Sequence, residues 1–335
     1  MNIINEKKQV VVIGGGTGIY PVLQGLKRHH DRVNITAVIS MTDSGGSTGR
    51  LRDEFGILPV GDVRMALIAL ASELGEQDQL LRKLFLHRFD KGEGLHGHNF
   101  GNLLLVALTE ILGSEAEAVK AAAKVLDVRG KVLPVTADQV DLVAEYDDGV
   151  VVVGEHDIDE PPLERSGHTI KNFYTKPTGQ ISTEVKEAIS AADIILLGPG
   201  DLYSSLLANC VIGGMSEAIQ QSAGKFVFAT NLMTRPGQTP GMTATDHVRE
   251  VEKYVGQLPD VVIVNTGIIP KLLLERYSKL GQFPVVDDCD IVDTVIVRED
   301  LLDCEEVVKS KGDVLTRSLV RGDGDKFASV ILNLL

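Results

Sequence analysis

The chain has 335 residues, 44% hydrophobic and 24% charged, with a formal net charge of −14. That size fits one large α/β domain or a domain carrying an insertion, and no apolar run approaches the roughly 20 residues of a membrane-spanning helix. An acidic chain without a Lys/Arg-rich run excludes a nucleic-acid backbone as partner, though backbone N–H groups or a metal ion can still bind a small phosphorylated ligand.

The N-terminal stretch MNIINEKKQ has no apolar core, so no signal peptide is expected. The first strand, Val10–Ile13, runs into Gly14, Gly15, Gly16, Thr17 and Gly18, with a helical pattern over Thr17–His29. A dinucleotide fingerprint reads G-x-G-x-x-G/A, with an acidic residue about 20 positions on at the end of the second strand. Here the sixth position is Ile19, and the second strand, Ile35–Ile39, ends in Ser40. The loop therefore reads as a phosphate cradle at a helix N-terminus, and NAD is not expected.

The second loop, SMTDSGGSTGRLRDEFG, lacks the lysine of a P-loop. Ser44, Gly45 and Gly46 can contribute to an anion-binding nest, Arg50 can add charge, and Asp43 stands where a carboxylate can hold a divalent cation. Asp62 opens the helical pattern Asp62–Glu73 and is either a second carboxylate of the site or the N-cap. In GLHGHNFGNLLL, His96 and His98 lack the companions of a zinc site, while Asn99 can cap the helix Asn99–Leu112 and Asn102 can turn an amide to a ligand.

A helical pattern over Glu115–Leu126 precedes a break in the strand–helix alternation. Between Lys131 and Val153, Asp148-Gly149 separates two strand-like runs, which predicts an antiparallel hairpin. The polar stretch from Gly154 to Gln180 reads as irregular. Residues 129–180 are thus an insertion in a single domain spanning 1–335.

The alternation resumes with a helix over Thr183–Ala191 and a strand, Ile194–Leu197, ending in Gly198-Pro199-Gly200. Asp201 follows, and it would compete with a phosphate for the same donors. The strand Phe226–Ala229 leads to Asn231, Arg235 and Thr239. His247 lies in the helix Thr245–Tyr254, as a helix-end residue or a general base. Strand Val261–Val264 ends at Asn265, which can read a base or ribose or only close an Asx turn. Helices over Lys271–Tyr277 and Lys326–Leu335 complete the chain, the last docking on the body. Cys210, Cys289 and Cys304 are too scattered for a disulfide frame or metal site and fit reduced thiols.

Near-continuous apolar strands alternating with helices predict an α/β fold with a mostly parallel sheet covered on both faces. Several polar loops after separate strands imply one long cleft, wide enough for a nucleotide with an appended group.

The motifs VVIGGGTG, TDSGGSTGRLR, PVGDVR, HNFGNLLL, LLGPGDLYSS, TNLMTRPGQT, TATDH and VNTG run in order through nearly the whole chain. In them the sequence resembles the bacterial gluconeogenesis factor family, related to 2-phospho-L-lactate transferase. The resemblance implies a CofD-like fold with a Rossmann-like core. It implies a cytoplasmic protein needed for growth and cell shape, hence for cell-wall synthesis, on gluconeogenic carbon sources. It also implies binding of a UDP-glucose or UDP-N-acetylglucosamine type of ligand. The related transferase uses a guanosine-diphosphate-linked substrate with magnesium, and its metal carboxylates match Asp43 and Asp62 here. Tyr277, as a base-stacking ring, and Arg321, as a diphosphate partner, follow from the same match. Asp201, Gly322 and Ala208 stand where the family usually has Ser, His and Pro.

Three functions fit these readings. One is a nucleotide-sugar-binding regulator acting through a protein partner in cell-wall synthesis. Another is a magnesium-dependent phospho-group transferase. The third, an NAD-dependent oxidoreductase, rests on the first glycine loop alone. The exact sugar, the partner and a homo-oligomeric state are left open.

Overall fold

The computed structural model describes residues 6–16, 18–303 and 322–335; Thr17, Cys304 and Arg321 lie outside the described residues. Among the described residues the strands, in chain order, are β1 (Lys8–Gly14), β2 (Val33–Ile39), β3 (Lys131–Pro134), β4 (Asp141–Tyr146), β5 (Val151–Val153), β6 (Ile170–Lys176), β7 (Ile194–Leu197), β8 (Lys225–Ala229), β9 (Val261–Asn265) and β10 (Val295–Glu299). They form a seven-stranded sheet in the order β10-β9-β8-β7-β1-β2-β3 and a three-stranded sheet in the order β5-β4-β6.

The large sheet is parallel throughout. The four residues of β7 are all buried, as are Val10–Ile13 of β1. Successive strand residues face opposite sides, so this burial means that both faces are covered. Each buried Val, Ile or Leu contributes about 1.5–3 kcal/mol relative to exposure. At the rim, β10 leaves Val295 and Glu299 exposed, which hides the apolar run that marks the central strands.

The small sheet is antiparallel. Gly149 turns its β4–β5 hairpin with φ +82°, a left-handed conformation that favours glycine. Strand β3 lies within the stretch 129–180 read as an insertion, yet it pairs with β2 in the large sheet. The region 154–180 is more regular than its composition suggests. It holds a five-residue helix, Glu155–Asp159, and β6, whose Phe173 and Thr175 are buried between exposed neighbours. The polar outer face of β6 masks this alternation.

A second difference is the helix Gly46–Phe55, read from the sequence as a loop. Gly, Ser and Thr are weak helix formers. Tertiary packing prevails, because Leu51 is buried with Ile57 and Val106. The C-terminal helix, Gly324–Leu334, does dock on the body. It crosses the helix Tyr20–Lys27 so closely that a Cβ on Gly25 would lie 1.8 Å from the Gly324 carbonyl oxygen. No described helix is long and apolar enough to cross a membrane.

The chain builds outward from β1 to β2 and β3, then returns to the other side of β1 for β7, β8 and β9. The loops after β1 and β7 therefore leave in opposite directions from neighbouring strands. A crevice opens between them, the usual ligand position in such sheets.

Candidate functional site

The two glycine loops meet at this crevice. A Cβ on Gly18 would lie 2.5 Å from the Pro199 carbonyl oxygen and 2.7 Å from Gly200 Cα. Gly18 is thus required by the contact of the loops. Above them lies a cavity of about 650 Å³, within the range of roughly 300–1,000 Å³ usual for ligand clefts.

Two carboxylates rest on this floor. Asp62 is the second residue of the helix Gly61–Leu70, whose N-cap is Val60, so Asp62 does not cap it. Its carboxylate lies against the first loop instead. A Cβ on Gly15 would be 2.5 Å from Asp62 Oδ2, and one on Gly16 would be 2.7 Å from Oδ1. The Gly16 N–H is hydrogen-bonded to the same carboxylate. Asp43 follows β2 and accepts from the Gly45 N–H at 2.9 Å. Gly61 accommodates it, since a Cβ there would be 2.6 Å from Asp43 Oδ2.

The helix between β5 and β6 supplies further carboxylates that sequence reading did not pick out. The helix Glu155–Asp159 reaches the loop after β2: the His156 N–H donates to Ser44 Oγ at 2.9 Å and the Ser44 N–H to Glu155 Oε2 at 3.4 Å. Asp159 ties the same helix to the loops after β7 and β8. Its Oδ1 accepts from the Ser204 hydroxyl at 2.8 Å and from Gln238 Nε2 at 3.1 Å, and its Oδ2 accepts from Arg235 at 2.5 Å. Arg235 also lies 3.7 Å from Asp201 Oδ2, so Asp201 faces a cation at the cavity wall.

Electrostatics follow from this crowding. Burial, with the nearby Asp43 charge, pushes Asp62 up to about 8. Burial likewise raises Asp43, and burial with the charges of Asp43, Asp159 and Asp62 raises Glu155 well above the carboxylate range. Burial raises Asp201, with Arg235 opposing it. Burial works against the Arg235 charge, but Asp201 and Asp159 outweigh it and hold the guanidinium above its ordinary range. Buried carboxylates crowded in this way are all-oxygen donors, and a hard divalent cation would favour their charged forms. The described cleft carboxylates do not converge into a compact three-ligand group. Such a group, Asp147, Asp148 and His168, occurs on the small sheet, where both aspartates are exposed. One or two carboxylates together with water and ligand phosphates are the usual holders of magnesium.

Of the residues singled out in the sequence, Gly16, Gly18, Asp43, Gly45, Gly46 and Asp62 line the cavity. So do Asn102, Gly200, Asn231 and Tyr277. Gly14, Gly15, Ser44 and Gly198 support the walls without being among the lining residues. Asn102 is engaged with Arg64, whose Nε donates to Asn102 Oδ1 at 2.7 Å. Asn231 donates to the Gly200 carbonyl at 2.7 Å, while its Oδ1 is buried without a hydrogen-bond partner among the described residues. Asn265 closes an Asx turn with Gly267 and accepts from the Leu301 N–H at 2.9 Å, away from the cavity. Tyr277 is 1% exposed and packs in a small apolar cluster with Ile269, Leu273 and Leu302. His247 is fully buried in the helix Ala244–Val255, its Nδ1 2.7 Å from the Thr243 carbonyl, and it does not line the cavity.

Comparison with known proteins matches this architecture. Residues 10–302 fit the family model of 2-phospho-L-lactate transferase CofD. A Thermotoga maritima protein is 42% identical over 96% of this chain and 98% of its own length. A Bacillus subtilis protein named gluconeogenesis factor is 39% identical over 99% of each chain. A crystal structure of a Bacillus halodurans protein superposes with a TM-score of 0.86 at 38% identity, covering 98% of this chain and 100% of that one. The chain therefore belongs to the CofD family, alongside relatives named gluconeogenesis factors.

Proposed function

We propose that the cleft binds a nucleotide-diphosphate sugar of the UDP-glucose or UDP-N-acetylglucosamine type. In this reading the protein is a regulator of cell-wall synthesis and cell shape during growth on gluconeogenic carbon. The observation that carries it is the contact of two glycine loops at the β1/β7 switch point, flooring a cavity of about 650 Å³. The diphosphate lies over these loops. The Gly16 N–H is already hydrogen-bonded to Asp62, so a cation held by Asp43 and Asp62 supplies the positive charge that this amide does not. The nucleoside lies toward Asn231 and Tyr277, on the β8/β9 side. Arg321 remains part of the proposal as a diphosphate partner. A protein partner carries the signal onward.

A second reading, a magnesium-dependent transferase on a nucleotide-diphosphate-linked substrate, is favoured by the carboxylates Asp43, Asp62, Glu155 and Asp159 around one cleft. Magnesium there would stabilise charge developing on a leaving diphosphate. Isothermal titration with UDP-N-acetylglucosamine, UDP-glucose, GDP and NAD, each with and without magnesium, separates the readings. Binding of a UDP-sugar without turnover supports the regulator. Preferred GDP binding with magnesium-dependent product formation supports the transferase, and binding of NAD alone sinks both.

A further inference from the structure

The cleft extends beyond the carboxylates to a cationic end, formed by the helix Gly46–Phe55 and the loop 87–99 on the β2 side of the switch point. Arg50, Arg88 and His96 line the cavity there. Arg50 donates to the His96 carbonyl at 3.2 and 3.3 Å, and Arg88 donates to the neighbouring Gly97 carbonyl at 2.8 Å. Two guanidinium groups thus grip one turn from different elements. Gly97 makes this possible: its φ is +78°, and a Cβ would lie 3.0 Å from Arg50 Nη2. Among the described residues Arg50 makes no ion pair with a carboxylate.

The surroundings reinforce the positive charge. The first turn of the helix Gly46–Phe55 has no side-chain cap, and Gly45, Gly46, Ser47 and Thr48 at its start line the same cavity. Its dipole adds positive potential. Burial, followed by the Arg50 charge, lowers the His98 pKa. In a chain of net charge −14, Arg50, which the His96 carbonyl holds at the cavity wall, is placed to receive an anion, with Arg88 and His96 lining the same wall.

We infer that Arg50, Arg88 and His96 form a second anion subsite, which takes the phosphoryl group of a small phosphorylated molecule bound beside the nucleotide ligand. The topology separates the two positions, since β2 and β8/β9 lie on opposite sides of β1. That the neighbouring ligand is a nucleotide sugar rests on the proposed function; the anion subsite itself does not.

Inorganic phosphate is the probe, titrated calorimetrically into the full-length protein, into Arg50→Gln and into Arg88→Gln, with and without saturating UDP-N-acetylglucosamine and magnesium. The wild type should bind phosphate, and each variant should weaken it roughly tenfold or more while keeping its ligand-free thermal midpoint. Binding should persist in the presence of the nucleotide sugar. Equal phosphate affinity in Arg50→Gln and wild type overturns the subsite, and Arg50 is exposed enough for that variant to fold. Full competition overturns the second-ligand assignment, because the arginines would then hold the nucleotide's own phosphates. Tighter binding of acetate than of phosphate overturns the phosphoryl assignment. If UDP-N-acetylglucosamine fails to bind at all, the proposed function falls, while the phosphate titrations still decide the subsite.

Discussion

Gly18 has no room for a side chain, because the obstacles are backbone atoms of the opposing loop at 2.5 and 2.7 Å. Gly18→Ala should therefore force the loops apart and cost about 1–3 kcal/mol of stability, measured by urea denaturation. An unchanged midpoint would mean that the loops separate freely. Asp62 gives a pH test. Its folded pKa is about 8, against an ordinary carboxylate value of about 4. Between those values the folded protein holds a proton that the unfolded chain has released, so stability is highest below the window and falls as pH rises through it. Metal-free thermal midpoints should decline from about pH 5 to about pH 8, and Asp62→Asn should flatten the decline. Equal slopes in both proteins would remove Asp62 as the source. The sequence already marked Asp43 and Asp62 by their positions after a strand and at a helix start. It could not show that Gly15 and Gly16 are glycines to make room for Asp62.

Among the elements, the two helices that meet at Gly25 and Gly324 offer the sharpest packing test. Gly25→Ala would gain roughly 1 kcal/mol in helix propensity. Yet its Cβ would stand 1.8 Å from the Gly324 carbonyl oxygen, and overpacking of that kind costs about 3 kcal/mol. The clash should prevail, giving a net loss of about 2 kcal/mol in chemical denaturation; a more stable variant would show that the helices can shift apart. The central strands were legible because burial on both faces leaves uninterrupted apolar runs. The helix Gly46–Phe55 was not, because its glycine, serine and threonine positions carry turn chemistry, while its packing, with Leu51 buried against Ile57 and Val106, is a tertiary property.

On the scale of the molecule, Asp159 joins the small sheet to the large one through Ser204, Arg235 and Gln238. Asp159→Ala should remove the nearest carboxylate from Arg235 and leave the more distant Asp201 facing it, with a loss of about 3 kcal/mol. Hydrogen exchange across β4 and β6 should quicken at the same time; unchanged protection there would show that the small sheet is held by other contacts. The sequence by itself determined the strand–loop–helix units, the parallel α/β class and the glycine loops, because hydrophobic period and turn chemistry are local properties. Only the tertiary structure decided the strand order, the crossing of two glycine loops at one switch point, and the arrival of Glu155 and Asp159 beside carboxylates about a hundred residues away in sequence. Those outcomes depend on which surfaces bury one another once the chain closes, and no short stretch of sequence carries that information.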